Sequence, residues 1–284
     1  MSFDTLSPRL KDVATRSLNF CRSKYGVNGL RIEEGIHDSI LWRPSFFLKP
    51  SRTKIVAVEV DDNLYPNSLK GAAHEIGHFD FPISVFQACS LEAYLNDPNH
   101  RSVSVLKKHG FGIITVDSNG NAAMQHNCIP LAQHISPDEF DRRIQGLTPK
   151  LKVLFRTAYD VYQTNEGQGL QEAGQIVEAI VTSLAEEAHR VGVVPASTLA
   201  KPLAFRIDDL YGKNTFQNFR AALGGARQFV QDFRNTASHP ARSAKEAAEK
   251  IRKCKAGFLD AIGIAVKLRQ ATHDLGYHLR MHIA

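Results

Sequence analysis

Two periodicities divide this 284-residue chain. From Thr148-Pro149 onward apolar residues recur every three or four positions: Leu151, Leu154, Phe155, Ala158 and Tyr162, then Leu170, Ala173, Ile176, Val177, Ile180 and Leu184. That spacing draws a stripe along an α-helix and needs another surface to cover it. Before it, apolar residues come in short β-branched and aromatic runs, namely Ile36 to Leu41, Phe46 to Lys49, Ile55 to Val60, Ile83 to Phe86 and Phe111 to Val116. Proline, Ser-Arg-Thr and Ser-Asn-Gly turns separate these runs, which read as strands. Helices intervene. Ser7-Pro8 is an N-cap followed by a proline at the first helical position. Pro66-Asn67-Ser68 opens a helix to about Phe79, and Gly110 closes one carrying Val103, Leu106 and Lys107. The chain is therefore expected to be α+β in two domains, α/β over residues 1–145 and all-α over residues 146–284, with composition changing near Pro137-Asp138.

A hydrophobic content of 43% supports globular cores in both halves. No apolar run reaches membrane-span length, and Met1-Ser2-Phe3-Asp4 has neither a charged n-region nor an apolar h-region, so a cytoplasmic protein with no membrane partner is expected. Cys21, Cys89, Cys128 and Cys254 are scattered beside apolar residues without a Cys-x-x-Cys pair, which suits reduced core thiols.

The stretch richest in chemistry is Phe233-Arg234-Asn235-Thr236-Ala237-Ser238-His239-Pro240. Phe216, Phe219, Leu223, Ala226, Val230 and Phe233 form a helical stripe leading into it. Pro240 lacks an N–H and disfavours helical dihedrals at His239, so the helix should end near Ser238. Ser243-Ala244-Lys245-Glu246 reads as a capping box that starts the next helix. A permanent cation and a base with a near-neutral pKa are thus held close together. That pair suits RNA cleavage without a metal: His239 takes a proton from a ribose 2′-hydroxyl while Arg234 holds the scissile phosphate. An arginine at a helix C-terminus and a His-Pro loop are also ordinary structural material. The net charge of +6 suits a polyanion, and Arg242, Lys245, Lys250, Arg252 and Lys253 cluster beyond the motif as candidate RNA-binding residues. The alternative for those cations is a solvated helix face.

Arg234, Asn235 and His239, set between two long helices, resemble the Rx4-6H motif of HEPN domains. The resemblance covers roughly the second half of the chain. It implies an all-α bundle, commonly dimeric, whose paired motifs form a metal-independent endoribonuclease in toxins and antiviral-defence proteins. The implied partners are RNA, a second copy through the C-terminal helices, and an antitoxin or sensor. No cofactor is implied.

In the first half, the order helix, three strands, helix, strand resembles the PD-(D/E)xK restriction-endonuclease core. That family binds a divalent metal with two carboxylates and steadies the attacking water with a lysine. Here Pro44-Ser45 and Glu59-Val60-Asp61 occupy the motif positions, so serine replaces an acid and Asp61 replaces the lysine. A catalytically degenerate binding or scaffold domain is implied. A competing chemistry lies at His74-Glu75-Ile76-Gly77-His78, which satisfies HExxH and is similar to zinc metallopeptidases. In that alternative His74 and His78 bind zinc, Glu75 is the base and Glu92 is the nearest third ligand. A chain in which both modules bind without catalysis is the remaining alternative. His273, His278 and His282 match no ligand spacing and read as structural.

Overall fold

The computed structural model describes residues 3–38, 40–51, 54–64, 82–130, 133–233 and 243–279. They form an α+β protein: a six-stranded mixed sheet with helices, followed by a helical region. The chain gathers into two compact units, Met1–Ser136 with Ala241–Ile251, and Pro137–Pro240 with Arg252–Ala284. None of the described helices is long and apolar enough to cross a membrane.

In the first unit, helix α1 (Pro8–Tyr25) starts as its sequence requires. The Ser7 hydroxyl accepts the Leu10 N–H, and Gly26, at φ 83°, closes the last turn on the Arg22 carbonyl. Six strands follow: β1 (Arg31–Ile32), β2 (Phe46–Ser51), β3 (Lys54–Val60), β4 (Ile83–Ser90), β5 (Gly112–Val116) and β6 (Ala122–His126). They lie side by side in chain order, with β3, β4 and β5 parallel and the remaining pairs antiparallel. Strands covered on both faces are apolar on both. Accordingly Phe46, Leu48, Val56, Val58, Val60, Phe86 and Ala88 pack with Val13, Ala14, Leu18 and Cys21 of α1. Their alternate neighbours Phe47, Ile55, Ala57, Ile83 and Val85 pack with Val103 and Leu106. Between β4 and β5 run two short helices, α2 (Leu91–Leu95) and α3 (Arg101–Lys108).

The expected strand at Ile36 to Leu41 does not form. Ile36 and Ile40 are buried from an irregular segment in which the Ile40 N–H closes a turn on the His37 carbonyl. The strand expected to end at Phe86 runs on to Ser90, because Gln87 is buried with its amide donating to the Asp61 carbonyl at 2.8 Å. The helix expected over residues 66–79 lies outside the described residues.

The second unit consists, among its described residues, of helices and short 3₁₀ turns. They are α4 (Pro137–Arg143), α5 (Pro149–Thr164), α6 (Glu166–Arg190), α7 (Leu203–Tyr211), α8 (Arg220–Phe233) and, from Arg252 onward, α9 (Ala244–Asp274). Residue 145, where a domain boundary was expected, falls in this unit between α4 and α5. Thr148 and Asn165 cap α5 and α6. These two helices meet so closely that a Cβ on Gly169 would sit 2.3 Å from the Tyr162 Cα. Phe140 stacks on Tyr159 with ring centroids 4.2 Å apart, and Tyr162 packs on Phe258 at 4.7 Å. The stripe of α8 differs from expectation. Phe216 and Phe219 precede the helix in a 3₁₀ segment, Asn214–Phe219. The buried face is Ala222, Leu223, Ala226 and Phe229, with Val230 half-buried. The Phe229 ring fills the space over Gly174, 3.5 Å from where a Cβ there would lie.

Candidate functional site

Arg234, Asn235, His239 and Arg242 lie outside the described residues, in the segment that joins α8 to α9. The described flanks show how that segment is bounded. Helix α8 is described to Phe233, and at the other side the Ser243 hydroxyl accepts the Glu246 N–H at 3.2 Å, starting α9 with the expected cap. On α9, Ala248, Ile251 and Cys254 are buried. The cations occupy the rest of the circumference, Lys245 and Lys253 exposed, Lys250 and Arg252 half-buried. Half-buried Lys255 belongs to this run too; burial lowers its pKa, opposed by Glu139. Over residues 244–255 of α9 Lys245, Lys250, Arg252, Lys253 and Lys255 stand against Glu246 and Glu249, so the helix carries an excess of positive charge after the motif segment.

Of the zinc alternative, His74, Glu75 and His78 also lie outside the described residues. Glu92 is exposed in the first turn of α2, and its carboxylate lies 2.7 Å from the Arg9 guanidinium. Arg9 in turn contacts Asp62 at 3.3 Å, and Asp62 accepts the Ser90 N–H at 2.7 Å. Glu92 is therefore tied into a network joining α1 to the ends of β3 and β4. Among the described residues no group of three or more His, Cys, Asp or Glu side chains could hold a metal ion.

The positions that the nuclease resemblance singles out are Ser45, just before β2, and Glu59 and Asp61, at the carboxyl end of β3. Ser45 is buried, and its hydroxyl accepts the Val60 N–H at 2.9 Å, so it braces the β2–β3 pair. Glu59 stands opposite Gln87 in the parallel register and accepts the Trp42 indole N–H at 3.1 Å. Burial pushes the Glu59 carboxyl from its ordinary 4.5 to about 7; the Trp42 hydrogen bond opposes this and the nearby Asp61 adds to it. A carboxyl poised near neutrality can act as acid or base. At the position where the nuclease resemblance expects a lysine the chain has Asp61, a second acid beside Glu59. Gln87 was not anticipated; its signal in the sequence is one amide within an otherwise apolar strand. Comparison of the chain with protein-family models, with curated proteins and with solved structures finds no match.

Proposed function

We propose that this chain is a metal-independent endoribonuclease of the cytoplasm, acting as a toxin or antiviral-defence effector, in which Arg234 and His239 carry the chemistry. One arrangement supports the reading: in sequence the motif segment lies between two helices, α8 of the second unit and α9, which belongs to that unit from Arg252 onward, and the described residues of that unit are helices and 3₁₀ turns, in keeping with a HEPN-like bundle. Neutral His239 takes the proton of a ribose 2′-hydroxyl, the 2′-oxygen attacks phosphorus, and the 5′-oxygen leaves with a proton from the medium. Arg234 holds the phosphate and its developing charge, and Asn235 orients the same group. The cations of α9 attract the strand. One such pair is a sparse site, and a two-fold axis through the C-terminal helices would bring a second pair to the same phosphate. An antitoxin or sensor would restrain it. The four free thiols fit a reducing compartment.

In this reading the first unit is a degenerate restriction-endonuclease-like module that binds without cutting. Supporting it are the helix-and-strand order of α1 and β1–β4, the engagement of the Ser45 hydroxyl with the backbone, and the Asp61 carboxylate at the lysine position. The test is cleavage of RNA in EDTA. Wild type should cut, and His239→Ala and Arg234→Ala should not while keeping the wild-type circular dichroism spectrum; a wild-type rate in both variants refutes the assignment.

A further inference from the structure

Two departures from regular geometry converge on Tyr94. The first is in β6, where Ile114 pairs with Met124 but Ile113 pairs with His126, leaving Gln125 as an extra residue. Side chains alternate faces along a strand. In unbroken alternation His126 would follow Ala122 and Met124 into the core beneath α1, where those two pack. The bulge sets it instead beside Ile113, which belongs to the opposite core with Val103 and Leu106 of α3. Re-aiming a side chain is what a bulge does.

The second departure lies between α2 and α3. Asn99 and His100 both take left-handed backbone angles, φ 54° and 51°. Such strain costs on the order of 1 kcal/mol or more per residue and collects at sites that hold a ligand. Buried Asp97 pins the segment by accepting the N–H groups of Ser102 at 3.2 Å and Val103 at 2.9 Å.

The result is a compact group. The His126 Nε2 lies 3.2 Å from the Tyr94 hydroxyl, and the rings of His100 and His126 lie 5.8 and 6.2 Å from the Tyr94 ring. Lys107, on α3, is close enough for its charge to act on the His126 ring. Burial first, then the charges of Lys107 and His100, hold His126 below its ordinary pKa. From Asn99 to Gly110 the chain carries Arg101, Lys107 and Lys108 and no carboxylate. The acid facing His100 is Asp97, whose oxygens are turned to the helix amides.

We propose that Tyr94, His100, Lys107 and His126 form a binding site for a phosphate dianion, either the terminal phosphate of an RNA strand or nucleotide, or inorganic phosphate. Two imidazoles, an ammonium and a phenol, brought by α2, by the start and the far end of α3 and by β6, supply donors that suit an oxyanion. The ammonium makes the same place hostile to a metal cation. The surroundings of free His126 disfavour its charged form, and a bound dianion favours it.

This site is separate from the Arg234–His239 reading: it can hold where RNA is not cut and fail where it is. Its test is a nuclear magnetic resonance titration of the histidine Cε1 protons in the full-length protein near pH 6.5, assigned with His100→Gln and His126→Gln. The probes are inorganic phosphate and one RNA pentamer bearing a 5′-phosphate or a 5′-hydroxyl. Phosphate and the phosphorylated pentamer should shift the His100 and His126 resonances saturably and raise their titration midpoints. Lys107→Ala should weaken binding about tenfold, the loss expected for one charge-assisted contact. Tighter binding of the 5′-phosphorylated pentamer assigns the site to strand ends, and equal affinity assigns it to free phosphate. Resonances that stay fixed with both probes, or wild-type affinity in both Lys107→Ala and His126→Gln, would overturn the proposal.

Discussion

Replacing Glu59 with glutamine should stabilise the first unit at alkaline pH and leave it unchanged in acid. The native carboxyl holds its proton up to about pH 7, against an ordinary value of 4.5. Below 4.5 both native and unfolded chains are protonated and the group contributes nothing to a difference between wild type and variant. As pH rises toward 7 the unfolded chain releases a proton that the fold retains, so wild-type stability falls by about 1.4 kcal/mol per pH unit until the native carboxyl ionises. Over a gap of roughly two and a half pH units the loss reaches about 3 kcal/mol, an upper figure because the half-buried carboxyl keeps some water. In Glu59→Gln the side-chain oxygen can still accept the Trp42 N–H, and the titration is gone. Trp42 is the single tryptophan of the chain, so its fluorescence reports the environment of residue 59 directly. Urea denaturation followed by that fluorescence should show the two proteins equal near pH 4.5 and the variant ahead by 2 to 3 kcal/mol, as an order-of-magnitude figure, near pH 8. A constant difference across this range would refute the burial argument.

Three further outcomes are expected. Gly169→Ala should destabilise the second unit by about 2 kcal/mol in chemical denaturation, although alanine is the better helix former, because the new methyl would meet the Tyr162 backbone at 2.3 Å and backbone cannot rotate away. Purified protein should not cleave DNA with magnesium or manganese; cleavage lost in Glu59→Ala would show the first unit to be an active nuclease. Light scattering coupled to size exclusion should give a dimer, and a strict monomer would remove the paired active site.

The helices were legible in both halves where stripes and caps agree: Ser7, Thr148 and Ser243 all cap where their sequence contexts place them. The central strands were legible from their apolar runs. β6 was missed because Ala122-Ala123-Met124-Gln125-His126 has weak strand character and owes its pairing to β5. Its bulge leaves no mark in the sequence, since register is decided by the partner strand. Phe229 replaced Val230 on the buried face of α8 because a phenyl ring fits the space over Gly174, a tertiary fact that periodicity does not carry. Glu59 was visible as a motif position, but its raised pKa comes first from burial in the folded chain, which the motif does not carry. Arg234, His239 and the HExxH histidines lie outside the described residues.

The central claim is that His239 and Arg234 cut RNA through its own 2′-hydroxyl without a metal. The most direct measurement is mass spectrometry of the product ends formed from a defined RNA in EDTA by wild type and His239→Ala. Wild type should leave 2′,3′-cyclic phosphate and 5′-hydroxyl ends, and His239→Ala should lose at least about a hundredfold in rate, the usual contribution of a general base. Intact RNA with wild type in EDTA, or equal cleavage by the variant, would contradict it.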